Sequence, residues 1–144
     1  MTDFNKFDVA YLKMALEWSS LSYCKRKQVG ALIVKDRMII SDGYNGTPSG
    51  FENNCEDESG KTHWYVLHAE ANAILKLSSS TQSAKGATLY LTMSPCKECS
   101  KLILQSGITK VVYTSDYSDD SGLDFLISAG IETLKISEQK LYEN

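Results

Sequence analysis

Residues 7–23 carry apolar side chains at near-helical spacing: Phe7, Ala10, Leu12, Met14, Ala15, Leu16, Trp18 and Leu21. That period predicts an amphipathic helix. The next apolar run, Val29-Gly30-Ala31-Leu32-Ile33-Val34, is short, rich in β-branched residues and bounded by charge, which predicts a buried strand. Lys35-Asp36-Arg37 supplies a turn and Met38-Ile39-Ile40-Ser41 returns, so the two runs read as a β-hairpin.

From Asp42 to Tyr65 the pattern dissolves into turn formers, among them Gly43, Asn45, Gly46, Pro48, Gly50, Asn53, Asn54 and Gly60. A loop of this length in a small domain is functional or disordered. Its aromatic and amide groups, in place of low-complexity sequence, favour function. Periodicity then resumes. Residues 68–77 predict a helix ended by Ser78-Ser79-Ser80-Thr81, 87–92 a strand, and 96–105 a helix closed by Gly107. Residues 110–114 read as a strand, 123–129 as a short helix stopped at Gly130, and 131–136 as a last strand. A hairpin followed by alternating helices and strands implies an α/β fold with one mixed sheet covered by helices on both faces. No repeat or linker interrupts the pattern, so residues 1–144 are expected to form a single domain.

Composition narrows the function. The 144 residues are 42% hydrophobic and 23% charged, as in soluble globular proteins. A net charge of −3 argues against a broad nucleic-acid surface. Lys25-Arg26-Lys27 stands out as a local basic cluster, either a phosphate contact or a solvated turn. No stretch approaches the roughly 18 apolar residues of a membrane span. Met1 to Asp8 lacks the basic region and apolar run of an export signal, so a cytoplasmic protein is expected. In that setting Cys24, Cys55, Cys96 and Cys99 are expected to be metal ligands or free thiols rather than disulfides.

The chemistry concentrates in His68-Ala69-Glu70 and Pro95-Cys96-Lys97-Glu98-Cys99. A lone C-x-x-C fits a redox pair or half a structural zinc site, and a lone histidine at a helix start is commonly structural. Together they make a different set. Cys96 and Cys99, three apart at a helix start, face the same way, and with His68 they offer three ligands suited to Zn²⁺. Three protein ligands leave a coordination position for water, whose pKa zinc lowers to about 7. Glu70 then serves as the group that moves the proton. The pattern H-x-E…P-C-x-x-C is that of zinc-dependent nucleobase deaminases.

From about Ser19 to Ile136 the chain resembles the cytidine/deoxycytidylate deaminase family, and within it the deoxycytidylate (dCMP) deaminases. Besides the two metal motifs, the resemblance rests on Gln28-Val29-Gly30-Ala31-Leu32-Ile33-Val34 and on Asp42-Gly43-Tyr44-Asn45-Gly46-Thr47-Pro48-Ser49-Gly50. It rests further on His68 through Ile74 and on Thr88 through Cys96. The metal motifs are common to the superfamily, and the Gly-Tyr-Asn-Gly-Thr-Pro loop is what points to dCMP. The resemblance implies a three-layer α/β/α fold with a five-stranded mixed sheet, and hydrolysis of dCMP to dUMP and ammonia for thymidylate synthesis. It implies His68, Cys96 and Cys99 as zinc ligands and Glu70 as proton carrier. Asn45 would reach the sugar, and Ala69, Ser94 and Tyr117 would contact substrate, although Tyr117 also reads as a surface tyrosine. Arg26 or Lys27 would meet the 5′-phosphate.

Many relatives are homohexamers activated by dCTP and inhibited by dTTP. By resemblance the effector, a nucleoside triphosphate with Mg²⁺, would sit at Gly43, Tyr44, Asn45 and Gly46. Some also hold a second, structural zinc, for which this chain offers Cys24, Cys55 and His63, three ligands where a closed site takes four. Rival readings are deamination of another nucleobase, including one in transfer RNA, a non-catalytic zinc nucleotide-binding protein, and a thiol oxidoreductase. The acidic balance opposes a polynucleotide substrate. Glu70 opposes a purely structural site, and an oxidoreductase explains neither His68 nor Glu70.

Overall fold

A computed structural model of the chain describes residues 4–143. Residues 1–3 of the expected leader-free start, and residue 144 at the end of the expected domain, lie outside them. Strands β1 (Gly30–Lys35), β2 (Met38–Tyr44), β3 (Thr88–Met93), β4 (Lys110–Ser115) and β5 (Glu132–Lys135) form one sheet in the order β2-β1-β3-β4-β5. The β1–β2 and β1–β3 pairs are antiparallel, and β3–β4 and β4–β5 are parallel. The sheet is therefore mixed, as expected. Its parallel half requires the crossovers that α3 (Lys97–Ser106) and α4 (Ser121–Ser128) provide.

Side-chain alternation divides the core. Ala31, Ile33, Leu89, Leu91 and Val111 face α2 (Ala69–Lys76), α3 and α4, meeting Ala73, Ile103 and Leu126. Leu32, Val34, Tyr90 and Val112 face the opposite way, onto Leu12 and Ala15 of α1 (Lys6–Ser19) and Leu141 of α5 (Glu138–Leu141). Because β1, β3 and β4 are buried on both faces, they read in the sequence as continuous apolar runs rather than alternating ones. The result is the three-layer α/β/α arrangement, with α2, α3 and α4 on one face and α1 and α5 on the other.

Element ends differ from the sequence reading for local reasons. Helix α1 starts on a capping box, in which Asn5 Oδ1 accepts the Asp8 N–H at 3.0 Å and an Asp8 carboxylate oxygen accepts the Asn5 N–H. It stops at Ser19 rather than running to residue 23. The Ser19 and Ser20 hydroxyls fold back onto the Leu16 and Glu17 carbonyls, a local alternative to continued helix. The hairpin turns at Asp36 and Arg37, both at positive φ (50° and 61°), as a two-residue primed turn requires. Helix α5, not expected from the sequence, has one fully buried anchor, Leu141, and a Ser137 cap.

The largest departure is at β2. The strand continues through Asp42, Gly43 and Tyr44, which pair with Leu32, Ala31 and Gly30, so the loop begins later than Asp42. Gly43 is a point of close approach rather than a turn. A Cβ there would lie 2.6 Å from the Ala69 carbonyl oxygen and 2.8 Å from the Ala73 nitrogen. Helix α2 thus lies against bare strand backbone, which fixes where its first turn falls. Adding one methyl should push α2 off the sheet: Gly43→Ala is expected to lower unfolding free energy by about 1–3 kcal/mol, as overpacking does. Chemical denaturation checks this, and an unchanged midpoint would contradict it.

Candidate metal centre and its cleft

His68 and Cys96 are both N-cap residues, held extended (ψ 158° and 173°) just ahead of α2 and α3. Both side chains therefore stand at the mouth of a helix's first turn. Cys96 Sγ accepts the Cys99 N–H at 3.5 Å, doing for α3 what a serine or aspartate cap oxygen usually does. Cys99, one turn into α3, brings the second sulfur alongside. His68 Nδ1 stands 3.5 Å from Cys96 Sγ and 3.4 Å from Cys99 Sγ. All three donor atoms lie within 4.8 Å of one another.

These separations fit a small tetrahedral ion. Zn–S bonds of about 2.3 Å and Zn–N bonds of about 2.0–2.1 Å at a tetrahedral angle set an S···N edge of about 3.6 Å. The donor set, two sulfurs and an imidazole, suits zinc, and two thiolates with one neutral ring leave such an ion without net charge. The first turns of α2 and α3 converge here, and their partial positive ends favour anionic ligands. The hydrogen bond from Cys99 pulls the Cys96 thiol down to about 3, and the same bond, with burial, pushes Cys99 up. The His68 ring is raised, chiefly by its hydrogen bond with Cys96.

Glu70 is 4% exposed, and burial lifts its carboxyl to about 7. It opens, with His68, Ala69 and Cys96, onto a cleft of about 280 Å³ whose wall also carries Asn45, Ser94, Tyr117, Arg26 and Lys27. The structure thus gathers in one place the metal set, the carboxylate and the substrate set read from the sequence. Ala69 brings a first-turn N–H, which has no intrahelical acceptor. Ser94 is buried, and its hydroxyl accepts the Tyr117 N–H at 2.7 Å, which holds the tyrosine at the rim. Lys27 Nζ lies 4.6 Å from the Tyr117 ring centre. The amide of Asn45 is engaged by backbone: Oδ1 accepts the Val29 N–H at 2.9 Å, and Nδ2 donates to the Lys27 carbonyl at 2.8 Å. One Asn45 N–H is left for a ligand.

The residues expected to take an effector sit outside that wall, Asn45 excepted. Gly43 lies under α2, the Tyr44 carbonyl accepts the Asn72 amide at 2.8 Å, and Gly46 pairs with Leu67 in an isolated bridge. The possible second metal set, Cys24, Cys55 and His63, is not brought together among the described residues. Cys24 and Cys55 are joined in a disulfide, with Cα atoms 5.1 Å apart, well within the usual range. This overturns the expectation of free or metal-bound thiols at those positions. That expectation rested on compartment, whereas pairing is decided by how the chain path brings two distant loops together. His63 stacks on Tyr65 with ring centres 4.9 Å apart, and the third potential donor beside the two cysteines is Glu56 instead.

Two residues at the site carried no usable signal in the sequence. Glu56 lines the cleft from within the long loop. Gly122, in the first turn of α4, lets that helix reach the strand-to-helix loop before α3, because a Cβ there would lie 2.4 Å from the Pro95 carbonyl oxygen and 2.8 Å from that of Cys96.

A five-stranded α/β/α layer carrying a three-donor centre and a buried carboxylate at a cleft defines a class, the metal-dependent hydrolytic deaminases. Residues 5–115 match the family model for the cytidine and deoxycytidylate deaminase zinc-binding region. The dCMP deaminase of cyanophage S-TIM5, solved with dCMP and dUMP, superposes with a TM-score of 0.90 at 46% identity, over 92% of this chain and 98% of that one. The deoxycytidylate deaminase of enterobacteria phage T4 is 35% identical over 90% of each chain. That of mycobacterium phage D29 is 39% identical over 76% of this chain and 95% of its own. The chain belongs to the cytidine and deoxycytidylate deaminase family.

The sulfur assignment has a direct check. Unfolded without reductant and with metal chelated, the chain is expected to show two titratable thiols, Cys96 and Cys99, and four after treatment with a dithiol. Four thiols before reduction would contradict the Cys24–Cys55 bond.

Proposed function

We propose that the chain catalyses zinc-dependent hydrolytic deamination of dCMP to dUMP and ammonia. The observation that carries this reading is the placement of a buried carboxylate, Glu70, and a three-donor metal set at one part of a cleft that also presents Arg26 and Lys27. Kinship adds to it, since the similar cyanophage enzyme was solved with dCMP and dUMP. His68, Cys96 and Cys99 would hold Zn²⁺, and two of them, His68 and Cys96, line the cleft. Bound there, zinc supplies Lewis-acid activation of water at neutral pH.

The chain's own residues supply the rest. A Glu70 carboxylate oxygen takes a proton from the attacking water and passes it to the ring nitrogen next to C4, then takes the second proton from the new C4 hydroxyl and delivers it to the departing amine. One water is consumed, a C4–O bond forms and the C4–N bond breaks. Burial keeps bulk water from competing for the Glu70 proton. Tyr117, held by Ser94, and the remaining Asn45 N–H bound the space for base and sugar. Arg26 and Lys27, local cations on a chain of net charge −3, would meet the 5′-phosphate. Regulation by dCTP and dTTP belongs to the same proposal. Its support is that Tyr44, within the Gly43–Gly46 segment, is hydrogen-bonded to Asn72 of α2, the helix that carries Glu70.

One assay series decides among these statements. Purified protein offered dCMP, CMP, deoxycytidine and dCTP is expected to release ammonia fastest from dCMP, and added dCTP is expected to raise the rate at low dCMP. Glu70→Gln is expected to retain one zinc per chain while kcat falls by about 10²–10⁴-fold, the usual range for losing a general acid–base. Preference for deoxycytidine over dCMP would overturn the substrate, identical curves with and without dCTP would overturn the regulation, and an active Glu70→Gln variant would overturn the proton carrier.

A further inference from the structure

Of the acidic run Glu56-Asp57-Glu58, only Glu56 turns inward: it is 8% exposed, whereas Asp57 and Glu58 are exposed. Its Oε2 accepts two backbone N–H groups, that of Lys25 at 3.0 Å and that of Arg26 at 3.2 Å. The segment so held has no regular secondary structure of its own. The Cys24–Cys55 bond ties the residue before Lys25 to the residue before Glu56, so two crosslinks lie side by side between the same loops. The far end of the segment is pinned as well, where the Lys27 carbonyl accepts from Asn45. Glu56, Arg26 and Lys27 then share the cleft with His68 and Glu70.

An anionic side chain in a cleft for an anionic substrate needs a reason to be there. By itself it repels a phosphate. Exposed backbone donors on a three-cation turn would also find water readily, so simple satisfaction of hydrogen bonds does not demand a buried carboxylate. Between the Cys24–Cys55 bond and the Asn45–Lys27 hydrogen bond, Glu56 holds the backbone at Lys25 and Arg26, the residues from which the basic side chains leave.

We propose that Glu56 is a positioning residue for phosphate recognition: by clamping the Lys25 and Arg26 amides it aims the basic turn at the 5′-phosphate of the nucleotide. The inference rests on the reading of the cleft as a dCMP site. It assigns Glu56 no contact with substrate, only control over the groups that make it. The sign of the effect separates it from plain electrostatics. If the charge merely repels phosphate, removing it improves dCMP use; if the clamp aims the turn, removing it harms dCMP use.

The test compares kcat/KM for dCMP and deoxycytidine, which differ by the phosphate alone. Glu56→Ala is expected to lower the dCMP-to-deoxycytidine ratio by about tenfold or more, the scale of losing charge-assisted hydrogen bonds, with the change in KM rather than kcat. Glu56→Asp keeps the charge but withdraws the acceptor by one methylene, and it should lose the ratio too; it also serves if the alanine variant does not fold. Glu56→Gln keeps an acceptor at full reach and should recover most of the ratio. A ratio that stays put or rises in Glu56→Ala and Glu56→Asp overturns the inference while the substrate reading stands. A wild-type protein with no preference for dCMP over deoxycytidine overturns that reading, and this inference with it.

Discussion

The rest of the structure depends on the approach of His68 Nδ1 to the Cys96 and Cys99 sulfurs, at 3.5 and 3.4 Å, between the first turns of two helices that come from different parts of the chain. Each helix start must be delivered to the same point. On one side β3 runs straight into Ser94-Pro95-Cys96, so α3 begins where the strand ends. On the other, α2 is seated on β2 at a strand position without a side chain, Gly43, which sets both its height above the sheet and the position of His68. Gly122 does the same for α4 beneath the Cys96 loop. The sheet's role in the site is therefore geometric: it supplies the flat, apolar floor against which two N-caps can be brought to bonding distance.

Around that point the long loop does the work of a wall. It is ordered by its own contacts, Gly46 with Leu67 and Glu56 with Thr62, and by the bond from Cys55 back to Cys24. Those links turn a segment with no regular structure into a surface facing the centre. The polar groups lining the cleft are mostly committed to backbone: Asn45 to Val29 and Lys27 and Glu56 to Lys25 and Arg26 on the loop, and Ser94, just after β3, to Tyr117. Such commitments cost nothing further when a ligand arrives, because the side chains and turns are already held in place. A cleft built this way owes its shape to hydrogen bonds between distant segments, with the hydrophobic core beneath it.

What could be read from the sequence follows from how local each feature is. Strands β1, β3 and β4 were legible because burial on both faces makes them continuous apolar runs. The metal set was legible because Cys96 and Cys99 are three apart and His68 is two residues from Glu70. The Asp42–Tyr44 extension of β2 was not, since a glycine that admits a neighbouring helix looks the same in sequence as one that makes a turn. The Cys24–Cys55 pairing and the Glu56 clamp join residues about 30 apart, with no periodicity to announce them. The same holds for the contact between Ser94 and Tyr117, 23 apart.

The central claim, that His68, Cys96 and Cys99 hold a zinc ion with one position open to the cleft, is tested most directly by zinc-edge X-ray absorption on protein carrying one equivalent of the metal. The account predicts a first shell of two sulfurs at about 2.3 Å and two nitrogen or oxygen neighbours at about 2.0–2.1 Å. A shell of three or four sulfurs, or one with no sulfur at all, would contradict it.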